Sequence, residues 1–213
     1  MKPKPAAGII DLLLRDGRST LEERSVRIGG GEAGGRKLRH HLRGIRPTSG
    51  RVRLALFSML GPGGAAGSRV LDLYAGTGAF GLEALSRGAE WAEFVERDDR
   101  ACKAIRDSLA SLGFEERARV HRGSAHVVVN RLEGRFDLVF ADPPYADDPF
   151  AELFEALAVR GCFAAGATVI AEHGKRRVLP PELPGLRQVD RRSYGDTAVT
   201  IYRAEGTKDE QVG

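Results

Sequence analysis

An alternation of short apolar runs with longer amphipathic stretches begins at Arg69 and dominates the rest of this 213-residue chain. The apolar runs have the length of strands and the stretches between them the length of helices, which is typical of β-α-β units. The last two runs are joined only by Tyr194-Gly195-Asp196, a connection too short for a crossover helix. The pattern therefore predicts an α/β, Rossmann-like sheet that is mostly parallel and has an antiparallel hairpin at its C-terminal end.

The strands of this sheet are predicted at residues 69–73, 92–96, 119–122, 136–141, 167–172, 188–193 and 197–203, and its helices at 78–86, 97–112, 125–132 and 150–158. This domain spans residues 65–205 and is followed by a polar tail at 206–213. Residues 1–24 are expected to form a flexible leader in which a short helix could form. Residues 25–64 form a small extension with a predicted hairpin, strands 25–28 and 36–42, and a helix that ends near Leu60.

The extension is strongly basic. Between Arg24 and Arg53 the chain has nine Arg or Lys residues and one acid, a net charge of +8 against +4 for the whole chain, so the remainder carries −4. A solvated charged surface is one interpretation. The segment is also rich in glycine, which lets backbone approach a partner closely, and its arginines suit phosphate contacts. The residues predicted to contact RNA are Arg27, Arg36, Lys37, Arg39, Arg43, Arg46, Thr48, Arg51 and Arg53.

The cysteine count and the apolar runs limit the cellular locations and the kinds of partner that we expect for the protein. Cys102 and Cys162 are the two cysteines, and their spacing fits neither a disulfide framework nor a zinc site. The early apolar run at residues 9–14 is too short to span a membrane, and no secretory signal is apparent. We therefore expect a cytoplasmic, metal-independent protein with no membrane partner.

A glycine loop follows the first strand of the domain. Residues 76–81 satisfy the pattern G-x-G-x-x-G, with Glu96 twenty residues after Gly76, which would also suit a dinucleotide-binding dehydrogenase or a simple strand-to-helix turn. Asp72, however, stands at the strand end, where its carboxylate can reach the ammonium of an amino-acid group that nicotinamide cofactors lack. Glu96 can accept from both ribose hydroxyls of an adenosine. Together these acids favour S-adenosylmethionine as the cofactor.

The cofactor contacts predicted on this basis are Asp72, Tyr74, Ala75, Gly76, Thr77, Gly78, Glu96, Arg97, Ser124, Ala125 and Asp142. Ser124 stands where many methyltransferases carry an acid for the adenine amino group. It is a weaker acceptor, and a role as a helix cap is an equal alternative.

The sequence Asp142-Pro143-Pro144-Tyr145 follows the fourth predicted strand. An exocyclic amine on a base is a poor nucleophile because its lone pair is delocalised into the ring. The Asp142 carboxylate and the Pro143 carbonyl could accept its hydrogens, while Pro143 and Pro144 fix the turn. Tyr145 offers an aromatic face for a flipped base. A purely structural turn is the alternative, but beside a glycine loop of this kind the motif predicts methylation of an amine, with these four residues catalytic.

The span from about Arg27 to Arg203 resembles the RsmD family, which methylates the exocyclic N2 of a guanine in bacterial 16S ribosomal RNA. The resemblance rests on the residues of both motifs and on the segments 28–30, 34–36, 46–48, 51–53, 56–57, 81–88, 94–96 and 194–197. It implies that the extension contacts RNA, with a 30S subunit or an assembly intermediate as partner and a monomeric enzyme. Gly50 and Leu54 depart from the family pattern, which usually has acids at those two positions.

Other functions remain open at this point. A DNA adenine-N6 methyltransferase could use the same catalytic turn, although the chain is short for a separate DNA-recognition domain. A protein glutamine methyltransferase usually begins that turn with Asn. A non-catalytic RNA-binding assembly factor would not require Asp72, Glu96 and Asp142, all of which are present.

Overall fold

A computed structural model of the chain describes residues 24–40, 50–61, 63–144 and 149–205. The described part begins with an antiparallel hairpin of β1 (Arg24–Arg27) and β2 (Lys37–His40), followed by helix α1 (Gly50–Leu60). The hairpin and the end of the helix near Leu60 confirm the sequence prediction. The leader, the end of the predicted return strand and the polar tail lie outside the described residues.

An eight-stranded sheet forms the centre of the protein. Its strands are β3 (Arg69–Leu73), β4 (Trp91–Glu96), β5 (Ala118–Arg122), β6 (Phe136–Ala141), β7 (Phe163–Gly174), β8 (Glu182–Leu183), β9 (Leu186–Tyr194) and β10 (Thr197–Ala204). They lie in the order β5-β4-β3-β6-β7-β10-β9-β8. Strands β3 to β7 are parallel, whereas β10 pairs antiparallel with β7 and β9. The predicted mostly parallel sheet with a C-terminal antiparallel hairpin is confirmed.

Helices connect the parallel strands: α2 (Ala79–Ser86), α3 (Asp99–Leu112), α4 (Ala125–Val128) and α5 (Phe150–Val159). Helix α3 begins two residues later than predicted because Asp98 is its N-cap, its carboxylate accepting from the backbone N–H groups of Arg100 and Ala101. The predicted helix at 125–132 is wrong in its length, since one α-helical turn passes into a 3₁₀ turn (Val129–Arg131).

Strands in the second half of the sheet also differ in length from their predicted bounds. Strand β7 has 12 residues where six were predicted, because its two ends pair with β6 and β10. The two-residue β8, which pairs with β9 at the edge of the sheet, was not predicted. Such a short edge strand has too few residues to show an alternating pattern.

Side chains alternate between the two faces of the sheet, and an apolar cluster covers each face. One apolar cluster joins the sheet to the hairpin, α1, α2 and α3, and includes Ile28, Leu38, Leu82 and Phe94. The other joins it to α4 and α5. Because Ile28 and Leu38 share a cluster with sheet and helix residues, the basic hairpin is packed on the domain. Within the described ranges no helix has the length and apolar character needed to cross a membrane.

Candidate active site

The glycine loop is tied to the neighbouring strand by backbone and side-chain hydrogen bonds. Ala75 N–H donates to the Val95 carbonyl at 3.0 Å, and Gly76 N–H donates to Glu96 Oε2 at 2.8 Å. Gly123 N–H, after β5, donates to the Glu96 carbonyl at 2.9 Å. The carboxyl ends of β3, β4 and β5 therefore form one edge, which is where ligands bind in open α/β sheets.

Asp72, the fourth residue of β3, is almost completely buried at 1% exposure. Its Oδ2 accepts from Gly81 N–H in the first turn of α2 at 2.9 Å. Burial raises the pKa of Asp72 from 3.8 to about 8; the Gly81 hydrogen bond and Arg53 oppose the rise, while the charges of Asp142 and Glu96 add to it. Asp72 thus holds the start of α2 through the Gly81 hydrogen bond.

Glu96, at the end of β4, holds the loop from the other side. Its Oε2 accepts from Gly76 and its Oε1 accepts from Asp98 N–H at 2.8 Å. A carboxylate has about four acceptor positions, so two bonds leave capacity for hydroxyl donors. The predicted ribose contact is compatible with this geometry and stays a prediction.

The backbone between Asp72 and α2 is unusual. Tyr74 has a φ of 58°, the one positive φ of a non-glycine among the described residues, and Gly76 and Gly78 also have positive φ. For a non-glycine residue such as Tyr74 this conformation costs about 1 kcal/mol or more, and such residues cluster at ligand sites. At Gly81 a Cβ would lie 2.4 Å from the ring of Phe94, so glycine is required for α2 to pack closely on β4.

The other predicted cofactor residues surround this edge. Ala75 is half-buried, Thr77 and Ala125 are buried, and Arg97 and Ser124 are exposed. Ser124 occupies the N-cap position of α4, but its hydroxyl makes no capping hydrogen bond within the described chain. Two carboxylates, the backbone N–H groups of a strained loop and a small buried alanine suit an amino-acid nucleoside, so the site fits S-adenosylmethionine.

The catalytic turn begins directly after β6, which lies next to β3 in the sheet. Asp142 is half-buried, Pro143 is buried and Pro144 is exposed. Leu73, which follows Asp72, pairs in register with Ala141, which precedes Asp142, so the two acids stand at the ends of adjacent parallel strands. The structure therefore brings the predicted cofactor edge and the catalytic turn together. Tyr145 lies outside the described residues.

A recess beside the catalytic turn was not predicted from the sequence. It is shallow and open to solvent, and its lining residues are Pro143, Pro144, Phe150, Glu172, His173, Gly174 and Arg177. The signal that could have located it is Glu172, an acid at the end of an otherwise apolar buried strand. Among the described residues no group of three or more His, Cys, Asp or Glu side chains is arranged to hold a metal ion.

The predicted RNA contacts divide into exposed and buried residues. Arg27, Arg36, Lys37 and Arg51 are exposed. Arg27 and Lys37 are cross-strand partners in the hairpin, and Arg36 donates to the Ser111 carbonyl at 2.6 Å. The side chain of Arg39 and all of Arg43, Arg46 and Thr48 lie outside the described residues.

The prediction that Arg53 contacts RNA is wrong. Arg53 is 4% exposed, its Nη2 donates to the Arg27 carbonyl at 2.6 Å, and its Nε lies 3.6 Å from Glu83 Oε2. A guanidinium held inside the protein cannot reach a phosphate on a partner. Arg53 instead joins α1 to the hairpin and to α2, and Glu83 supplies it with an acidic partner although Leu54 replaces the acid usual in the family.

The glycine run at residues 29–31 also has a different purpose from the predicted one. At Gly31, with a φ of 76°, a Cβ would lie 1.7 Å from the Ser86 carbonyl oxygen. Gly29 N–H donates to Glu83 Oε2 at 2.6 Å, and Ser86 Oγ donates to the Gly30 carbonyl at 2.5 Å. The close approach that glycine allows is therefore to α2 of the same chain.

Glu83 is the centre of this docking and was not singled out as a site residue. It is completely buried, and its Oε1 accepts from Arg87 Nε at 2.7 Å. The signal in the sequence was an acid in the helix AFGLEALS, whose other side chains are apolar or small. A charge in such a helix requires partners, and here those are Gly29, Arg53 and Arg87.

Comparison with known proteins gives consistent results. A family model described as Conserved hypothetical protein 95 matches residues 26–203. Ribosomal RNA small subunit methyltransferase D of Escherichia coli (strain K12) is 34% identical over 182 residues, which cover 84% of this chain and 90% of the relative.

Solved structures of similar proteins have the same fold over most of the chain. The yhhF methyltransferase candidate of Escherichia coli has a TM-score of 0.77 at 31% identity, covering 86% of this chain and 100% of the other. A hypothetical protein of Thermus thermophilus has a TM-score of 0.70 at 35% identity, with coverages of 85% and 99%. The match to the family model extends over most of the hairpin, the sheet and the strand ends that carry the candidate site.

Proposed function

This chain belongs to the RsmD family of S-adenosylmethionine-dependent methyltransferases, and from that premise we propose that it methylates the exocyclic N2 amine of a guanine in 16S ribosomal RNA. The observation that supports the proposal is the register of β3 and β6, which sets Asp72 and Asp142 at the ends of neighbouring parallel strands. A carboxylate that can accept the hydrogens of the target amine then stands beside the proposed cofactor edge, as direct transfer of a methyl group requires.

The residues of the edge have separate roles in this proposal. Asp72 and Glu96 position the amino-acid and ribose ends of the cofactor, and the glycine loop carries the groups between them. When bound, S-adenosylmethionine supplies a methyl group that is already activated by its sulfonium. Asp142 and the Pro143 carbonyl accept the hydrogens of the target amine, which makes its lone pair available. The prolines hold both acceptors in place before the substrate arrives.

The RNA surface is proposed on the exposed side of the hairpin and α1. Arg27 and Lys37 lie directly opposite each other across the two strands. Like charges at such positions destabilise a hairpin, which an anionic partner would offset. These two residues and the exposed Arg51 of α1 are proposed to make up the basic face of the protein. Arg43, Arg46, Thr48 and Tyr145 remain predictions from the sequence.

The proposed substrate form is a 30S subunit or an assembly intermediate, and the proposed enzyme is a monomer in the cytoplasm. Purified protein with cofactor carrying a radiolabelled methyl group should be incubated with 30S particles, naked 16S RNA and duplex DNA. Label in ribosomal RNA, recovered as N2-methylguanosine after digestion, is the expected result. Label only in DNA, or recovered as N6-methyladenosine, would contradict the proposal. Cofactor binding without any transfer would support a non-catalytic assembly factor.

A further inference from the structure

The strand order places three carboxylates in sequence along one edge of the sheet. Asp72 is on β3, Asp142 follows β6 and Glu172 is on β7, and these three strands are consecutive neighbours. Ala141 pairs in register with Ala171, so Asp142 and Glu172 are the next residues on two adjacent parallel strands. Glu172 therefore stands beside Asp142, on the strand that lies on the other side of β6 from β3 and Asp72.

The neighbouring residue in β7 fixes the face on which Glu172 lies. His173 is packed on one face, where its Nε2 is 2.8 Å from Thr200 Oγ1 and its ring meets Phe150 edge-on. Because side chains alternate along a strand, Glu172 lies on the opposite face, with Ile170. Glu172 is 4% exposed, and the recess lies where β7 ends, so that Glu172 from one face and His173 with Phe150 from the other line it together with Pro143 and Pro144. A buried carboxylate thus adjoins the turn that holds the target amine.

The hydrogen-bond donors and acceptors of each base determine which base such a carboxylate can bind. On the Watson–Crick edge of guanine the ring atom next to the exocyclic amine is N1, which carries a hydrogen and donates. In adenine and cytosine the corresponding ring nitrogen has a lone pair and accepts. An ionised carboxylate only accepts, so it pairs with guanine N1–H and faces a lone pair in the other two bases.

We propose that Glu172 selects guanine by accepting a hydrogen bond from N1–H of the base whose amine is held at Asp142. The inference rests on the proposed function and extends it from the reacting amine to the identity of the base. Arg177, half-buried in the lining of the same recess, donates to O6, which follows N1 on the same edge of guanine.

The test changes the base and the protein separately. The methylated nucleotide is first mapped with the wild-type enzyme. 16S RNA is then ligated from pieces so that this nucleotide is guanine in one preparation and 2-aminopurine in the other. 2-Aminopurine keeps the 2-amine, lacks the N1 hydrogen and O6, and presents a lone pair at N1. kcat/KM is measured for wild type, E172Q and the control E182Q, whose altered residue is exposed on β8. Cofactor affinity and thermal unfolding are recorded for all three.

Wild type and E182Q should prefer guanine by about 100-fold, because the analogue leaves buried polar groups without their hydrogen bonds. E172Q should narrow that preference to about tenfold or less, since an amide can donate to the lone pair at N1. Its cofactor affinity should not change.

Equal rates on the two bases with wild type would overturn the inference whether or not E172Q folds. An unchanged preference in folded E172Q would also overturn it. Both results are distinct from failure of the proposed function, in which wild type forms no N2-methylguanosine on any RNA.

Discussion

The charged residues at the carboxyl edge of the sheet and those of the basic extension have different environments. At the edge, Asp72 and Glu96 are bonded to backbone N–H groups of the loop that they help to shape. In the basic extension, Arg53 is buried against Glu83 while Arg51, two residues earlier on the same helix, is exposed. The edge acids therefore stabilise the loop that is proposed to bind the cofactor, whereas the two arginines of α1 differ, Arg53 being held inside the protein and Arg51 facing solvent.

From this difference we predict that one set of residues determines methyl transfer and another determines the affinity for RNA. The edge should determine whether a methyl group is transferred and to which base. The basic face of Arg27, Lys37 and Arg51 should determine how tightly RNA is held, and Arg53, Glu83 and Gly31 should determine whether that face is held in place.

The largest effect is expected from D142A. Loss of the carboxylate that accepts the amine hydrogens should lower kcat by about 1000-fold, with cofactor affinity changed by no more than a few-fold. Single-turnover transfer and calorimetric cofactor binding measure the two quantities. A large loss of cofactor affinity would show that Asp142 belongs functionally with Asp72 and that the edge does not divide as proposed.

R53A and R51A compare two arginines on one helix. Removing Arg53 breaks a buried ion pair and a hydrogen bond to the Arg27 carbonyl, so we expect a loss of about 3 kcal/mol in the free energy of unfolding. R51A removes an exposed side chain and should cost less than about 0.5 kcal/mol. Urea unfolding measures the loss in the free energy of unfolding for both variants. Similar losses would mean that the buried Arg53 contributes no more to stability than the exposed Arg51.

G31A tests whether the glycine run docks the hairpin on α2. The added Cβ would collide with the Ser86 carbonyl, and we expect a loss of about 2 kcal/mol or greater protease sensitivity of the hairpin. G35A is the matched control: its φ is also positive, at 85°, but nothing lies within 4 Å of the new Cβ, so strain of about 1 kcal/mol is expected. Equal effects at both positions would argue against close docking.

Asp72 should make the stability of the protein depend on pH. Its pKa is raised to about 8, so the folded protein keeps a proton that the unfolded chain loses near pH 4. Stability from this group is present at low pH and is lost as pH rises to 8, by at most about 1.4 kcal/mol per pH unit. Asn can still accept from Gly81 N–H but does not ionise. D72N should therefore gain stability relative to wild type between pH 5 and 8; parallel stability curves would contradict the raised pKa.

The positions of the edge residues could be predicted from the sequence because parallel strands end on one side of a sheet. Asp72, Glu96 and Asp142 needed only correct strand ends to be placed together. The burial of Arg53 could not be predicted this way, since a run of positive charge does not reveal which residue meets a buried acid such as Glu83. The recess beside Pro143 depends on the pairing of β6 with β7, which spacing along the chain does not specify.

The division between chemistry and affinity is tested most directly by steady-state kinetics of R27E/K37E/R51E beside D142A on the same RNA. For the charge-reversal variant we predict a KM for RNA raised by about tenfold or more, a weaker dependence on salt and a kcat close to wild type. D142A should lose kcat with the RNA affinity unchanged. A charge-reversal variant that loses kcat while KM and its salt dependence stay the same would contradict the account.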